Sequence, residues 1–117
     1  MDHVILVALA RPETAPAFTE FCSRMASHFG PQVDWWVTLN EPLVYVTTGY
    51  VQGGSPPGVV LDATRAFNVA RTLARVHASC FDAIHQADTI DADGDGKAAW
   101  VSVAKHQRTF HPEDPTD

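Results

Sequence analysis

Short apolar runs and stretches of helical periodicity alternate along this chain, and that alternation constrains the fold more than any single residue. Residues 3–9 (HVILVAL), 33–39 (VDWWVTL) and 99–104 (AWVSVA) are the apolar runs. After the first, Arg11-Pro12-Glu13-Thr14 supplies a proline and a cap candidate. Phe18, Phe21, Cys22, Met25 and Phe29 then recur at helical spacing until Gly30-Pro31 breaks the pattern. After the second, Asp62 caps a long stretch whose apolar stripe reads Ala66, Phe67, Ala70, Leu73, Ala74, His77, Cys80, Phe81 and Ile84. Strands alternating with helices require crossover connections, which produce βαβ units and a parallel sheet. The expected class is α/β.

With 117 residues the chain can bury one small core but not two, so residues 1–117 are read as a single domain. Its 45% hydrophobic and 19% charged residues are those of a globular protein. Eight basic against fourteen acidic side chains give a formal charge of −6, with no basic patch, which argues against nucleic acid as a partner. No apolar run approaches the ~20 residues of a membrane span, and Met1-Asp2-His3 lacks a basic secretory start, so no membrane partner and a cytoplasmic location are expected. No cofactor is expected either. Cys22 and Cys80 each fall on an apolar helix face, which favours two buried free thiols over a disulfide and implies no redox chemistry. There are no internal repeats, and the polar tail from His111 is expected to be loose.

The second apolar run ends in Thr38-Leu39-Asn40-Glu41-Pro42. Pro42 removes a backbone donor and stops strand pairing, which leaves Asn40 and Glu41 at the strand's carboxyl end. In parallel sheets and barrels that end opens onto the ligand crevice, where an amide beside a carboxylate can reach a bound polar molecule. The bare tripeptide is also an ordinary polar turn. About twenty residues of loop are expected next, from 40 to 61, long enough to suspect a functional role.

The residues around Glu41 resemble the family 1 glycoside hydrolases, the β-glucosidase and β-galactosidase group, over a long ordered string. It begins at Glu13-Thr14-Ala15 with Phe18 and Phe21, and continues through Phe29-Gly30 and Val33 to Trp36-Val37-Thr38-Leu39-Asn40-Glu41-Pro42. It then runs through Gly49-Tyr50, Gly53 and Pro57-Gly58 to Asn68, Leu73 and His77-Ala78. The match is good over residues 13–80 and loose over 98–112. The resemblance implies a retaining β-glycosidase on a (β/α)8 TIM barrel, with a β-glycoside or oligosaccharide as substrate. It implies that Glu41 ends the fourth strand as general acid, then general base, that Asn40 binds the sugar 2-hydroxyl, and that residues 44–50 form a short helical segment at the barrel mouth. The chemistry needs those types. A protonated carboxyl donates to the leaving oxygen and, once ionised, activates water, while an amide both donates to and accepts from a hydroxyl without adding charge.

A retaining mechanism also needs a second carboxylate about 5 to 5.5 Å from the first. In the family it lies in a Thr-Glu-Asn-Gly segment, and no such segment occurs here. The family's strand-one Gln, strand-three His-Trp pair and late Tyr and Trp residues also lack counterparts, and residues 1–12 do not match its Gly-Gly-Trp-like lead-in. That mismatch leads us to expect a reading frame that begins upstream. Since about 250 residues is typical of a barrel, the expectation is an incomplete barrel segment of about three strands and two main helices. Such a segment carries the acid/base Glu41, lacks the nucleophile and is inactive alone. Its remaining strands would come from a longer chain or another copy.

Asp91-Ala92-Asp93-Gly94-Asp95-Gly96 matches the first half of a calcium loop, but the twelfth position is Ser102 rather than Glu and the eighth is Ala98. A solvated acidic turn is the plainer reading, and no metal ligand is assigned. A non-enzymatic calcium- or sugar-binding fragment stays open as the alternative function. His77, Cys80 and His85 share a helix face, yet a closed zinc site takes four ligands and no second pair is spaced to complete it. His106 and His111 lie after the last strand, where a barrel rim would meet sugar, although surface histidines are commoner there. Trp35 and Trp36 point to opposite faces of their strand, one toward a barrel interior and one toward helices. Tyr50 either reaches the site or anchors its loop.

Overall fold

A computed structural model describes residues 13–107, so the expected strand at residues 3–9 and His111 lie outside the described part. Helix α1 (Thr14–Phe29) buries Cys22 and Ala26. Its cap position is Glu13, whose side chain makes no capping bond, and Thr14 is the first helical residue rather than the cap. The Gly30 N–H closes onto the Ala26 carbonyl, and a 3-10 turn, Gly30–Gln32, comes next with Pro31 in its first turn. Gly30 lies against the Asp88 carboxylate so closely that a Cβ would collide with it, which is why the turn carries glycine here.

Strand β1 (Trp35–Asn40) and strand β2 (Trp100–Ala104) pair in parallel, with Trp35 opposite Trp100, Trp36 opposite Val101 and Val37 opposite Ser102. β1 begins two residues later than the apolar run suggests, because Asp34 spends its side chain on a loop rather than on the sheet surface. After Val37 the register slips, so that Asn40 and not Leu39 faces Ala104. Such a bulge places an extra residue on one strand and re-aims the side chains beyond it. Thr38 and Leu39 both turn inward, and Asn40 joins Trp35 and Val37 on the open face.

Helix α2 (Pro42–Tyr50) starts directly after the strand. Pro42 fits its first turn, where a missing N–H costs nothing. Within the expected twenty-residue loop, the short helical segment that the resemblance implies at residues 44–50 is present as a nine-residue helix, and a closed turn follows it. The Gln52–Val60 bridge and bonds from Val59 N to Gly49 O (2.9 Å) and Asp62 N to Tyr50 O (3.0 Å) fasten that turn back onto the helix.

Helix α3 (Ala63–Ala87) begins as its sequence foretells, with the Asp62 carboxylate accepting from the Arg65 N–H at 2.8 Å. Its buried stripe is Ala66, Val69, Leu73, Val76, Cys80 and Ile84. The expected stripe shares four of these residues, but Val69 and Val76 replace Phe67 and Phe81, which are exposed. Phe67 and Phe81 weigh heavily in a periodicity count, whereas burial is set by where α1 and α2 press on α3. One cluster joins Cys22 and Ala26 of α1 to Val76, Cys80 and Ile84 of α3 and Ala99. A second joins Val46 and Tyr50 of α2 to Ala66, Val69 and Leu73. Leu39 of β1 packs on both, so the helices cover one face of the sheet and leave Trp35, Val37, Asn40 and Ser102 open.

Candidate functional site

Glu41 occupies the joint between β1 and α2. Its N–H donates to the Ala104 carbonyl at 2.8 Å, extending the parallel ladder by one bond, and its carbonyl accepts from Val44 at 3.0 Å, opening the helix. To serve both elements its backbone takes the left-handed conformation, φ 46° and ψ 52°. A residue other than glycine holds that conformation at a cost of order 1–3 kcal/mol, and such strain gathers at functional sites. The Glu41 side chain makes no capping bond and is 45% exposed at the carboxyl end of the sheet. Asn40, the last residue of β1, is exposed beside it on the open face.

His106, just beyond β2, brings Nδ1 to 3.7 Å from Glu41 Oε1, too long for a hydrogen bond between them. Of the two histidines expected at the rim, His106 is the one among the described residues, and the parallel register carries β2 to the same end as β1. His106 also lines a cavity of about 230 Å³ with Thr47, Thr48 and Gln52 of the α2 region. Tyr50 is fully buried in the second core cluster and meets Tyr45 edge to face with ring centroids 6.0 Å apart, so it anchors α2. Burial, and then the bond to Tyr50, push the Tyr45 phenol well above its ordinary value.

Under the sheet, Thr38 Oγ1 lies 2.7 Å from His77 Nδ1 and donates to the Ser102 carbonyl at 3.3 Å. His77 thus links α3 to both strands. Cys80 instead faces Cys22, and His85 Nδ1 lies 2.8 Å from the Phe81 carbonyl, so these three side chains do not gather into a metal site. Trp36 sends its indole N–H to the buried Asp88 carboxylate at 2.9 Å, while Trp35 stacks on Trp100 on the open face, 5.5 Å between centroids and 12° between planes.

The aspartate loop is closed by its own backbone. Asp91 accepts from Gly94 (2.7 Å), Asp95 (3.1 Å) and Gly96 (2.9 Å), and Gly94 and Gly96 take positive φ to allow it. Asp95 turns away to accept from Lys97 N–H and the Trp100 indole. The third carboxylate beside Asp91 and Asp93 is Asp34, with one oxygen from each of the three within 4.8 Å of the others. Asp34 is only 3% exposed and accepts from the Ala92 and Asp93 N–H groups at 3.0 and 2.7 Å. Sequence reasoning missed both Asp34 and Asp88. Asp34, inside an apolar run, and Asp88, just past the long helix, have no periodicity to mark them.

Comparison with known proteins places this arrangement. The sequence model described as glycosyl hydrolase family 1 matches residues 9–117. A β-galactosidase of Pyrococcus woesei is 36% identical over 110 residues, covering 91% of this chain and 21% of that protein. Beta-glucosidase 26, peroxisomal, of Arabidopsis thaliana is 26% identical over 86% of this chain and 19% of its own length. Beta-glucosidase A of Thermotoga maritima is 38% identical over 59% of this chain and 15% of its own. The chain spans about a fifth of the length of the first two relatives.

Proposed function

This chain belongs to glycosyl hydrolase family 1, and we propose that it carries the acid/base half of a retaining β-glycosidase site. In this reading Glu41 is the general acid and then the general base, and Asn40 holds the sugar 2-hydroxyl. The observation that carries it is the position of Glu41, strained, partly exposed and at the carboxyl end of a parallel strand, with its side chain free of capping duty. The relatives' names, β-galactosidase and β-glucosidase, support a β-linked hexoside as substrate.

The residues fit a segment of a (β/α)8 barrel with its helices outside and the open face of β1 and β2 turned toward the interior. Glu41 would donate its proton to the glycosidic oxygen as the bond to the leaving group breaks. The resulting carboxylate then takes a proton from the water that hydrolyses the glycosyl intermediate. The nucleophile that forms that intermediate has to stand about 5 to 5.5 Å away, and the absence of a Thr-Glu-Asn-Gly segment assigns it to other strands. The chain by itself should therefore turn over little or nothing.

The test is hydrolysis of aryl β-glucosides with good and poor leaving groups, for the wild type and Glu41→Gln, with the oligomeric state recorded in the same sample. A monomer should show no turnover. In an assembly that supplies the remaining strands, Glu41→Gln should slow the poor leaving group by about 10²–10⁴-fold and the good one far less, because only the former needs protonation. Equal slowing of both would remove Glu41 from the acid role, and robust turnover by a strict monomer would overturn the division of the site.

A further inference from the structure

We propose that Cys22 and Cys80 form a reversible disulfide that staples α1 to α3 when the protein meets a hydroperoxide. The two residues are 58 positions apart on different helices, a separation that carries no hint of pairing, yet their Sγ atoms lie 2.7 Å apart in the core. A disulfide bond measures about 2.05 Å, so the sulfurs need to close by only about 0.7 Å. Ala26, Val76 and Ile84 are buried around them and hold the two helix backbones in place. Both thiols are free and buried.

The two cysteines differ in a way that orders the reaction. Cys22 retains 7% exposure and Cys80 none, so a small oxidant reaches Cys22 first. Burial, and then the contact with Cys22, push the Cys80 thiol up to about 12, and Cys80 has no exposed surface through which an oxidant could approach it. Cys22 reacts with the hydroperoxide, its sulfur displacing alkoxide or hydroxide from the O–O bond, to give the sulfenic acid and an alcohol or water. The Cys80 sulfur then attacks the Cys22 sulfur, the S–O bond breaks, and the departing hydroxide takes the Cys80 proton and leaves as water. Two thiols and one hydroperoxide thus give one disulfide, one alcohol and one water, or two waters from hydrogen peroxide. Because the sulfenic sulfur is already in contact with Cys80, this closure outruns further oxidation.

The bond would enclose the segment containing β1, Glu41 and α2 without touching any group assigned to the glycosidase site, so it stands independently of that reading. It also removes freedom from the unfolded chain, which makes the oxidised protein harder to unfold.

The experiment treats the full chain with hydrogen peroxide and tracks intact mass, thiols counted in denaturant, a non-reducing peptide map and the urea midpoint. Expected are the loss of both thiols together, an intact mass lower by two hydrogens, a linked pair of peptides bearing residues 22 and 80, and a raised midpoint that returns on adding dithiothreitol. Cys22→Ser and Cys80→Ser should each abolish the intramolecular link, and the wild-type mass and map decide the matter even where a variant folds poorly. Two thiols that persist, added oxygen without a cross-link, or links only between chains would overturn the proposal. A link that leaves the midpoint unchanged would overturn its stapling role.

Discussion

Asp34→Asn exchanges one carboxylate oxygen for an NH2 group at the joint between β1 and the aspartate loop, and two opposing effects decide its outcome. The carboxylate accepts one backbone N–H on each oxygen, from Ala92 at 3.0 Å and Asp93 at 2.7 Å, in a site 3% exposed. An asparagine keeps one acceptor and turns an NH2 toward the other donor. One charge-assisted bond is lost and the survivor becomes neutral, a loss of about 2–5 kcal/mol at hydrogen-bond strengths of about 1.5–3 for a charged acceptor and about 1 for a neutral one. Against this, neutralising Asp34 relieves repulsion from Asp91 and Asp93, whose oxygens lie within 4.8 Å. Those partners are exposed, and at that range in water the repulsion is roughly 1 kcal/mol per pair, reduced by physiological salt. The hydrogen bonds should win by about 1–3 kcal/mol. With a urea slope of about 1–3 kcal/mol/M, the midpoint should fall by roughly 0.3–3 M. Urea denaturation monitored by tryptophan fluorescence reads this directly, and the deficit should widen with added salt as the relieved repulsion is screened. A variant more stable than wild type at low salt, with the gain fading at high salt, would refute the reasoning and make Asp34 a site of net repulsion.

Leu73→Ala, at a position 4% exposed in the cluster that seats α2 on α3, should cost about 2–5 kcal/mol in chemical denaturation. Gly53→Ala should also destabilise, by roughly 1 kcal/mol or more, because φ is 70° and the new Cβ would sit 2.6 Å from Val60 Cγ2, and thermal melts beside the neutral control Gly54→Ala would show it. Alkaline pH should weaken the fold through Cys80. Its folded value is raised from 9.0 to about 12, so its contribution is intact below about 9 and is lost as pH rises from there to about 12. Cys80→Ser should show a shallower loss of stability over that window in denaturation measured at stepped pH.

The α/β class, the parallel pairing of the second and third apolar runs and the carboxyl-end position of Asn40 and Glu41 were legible because each rests on a local rule. Pro42 cannot continue a strand, Asp62 caps the long helix after it, and strands separated by a 25-residue helix return in parallel. The chemical role proposed for Glu41 rests on family resemblance alone, since a strand-ending Asn-Glu-Pro has no chemistry that distinguishes it from a turn. At residues 42–50 local propensity misleads, and only the resemblance pointed to a helix there. PLVYVTTGY is rich in β-branched and aromatic residues, weak helix formers, and becomes a helix because Val46 and Tyr50 find a surface on α3.

By itself, then, the sequence determined the order of these elements, the parallel sense of the strands and the place where a carboxylate would emerge, because proline geometry, capping and periodicity act over a few residues. Tertiary structure alone decided which stripe of α3 is buried, where β1 bulges, that His106 stands over Glu41, that Asp34 and Asp88 are joints rather than surface charges, and that Cys22 meets Cys80. Each of these depends on contact between residues tens of positions apart. The free energy of such a contact comes from the partner's burial and donors, which no local window of sequence contains.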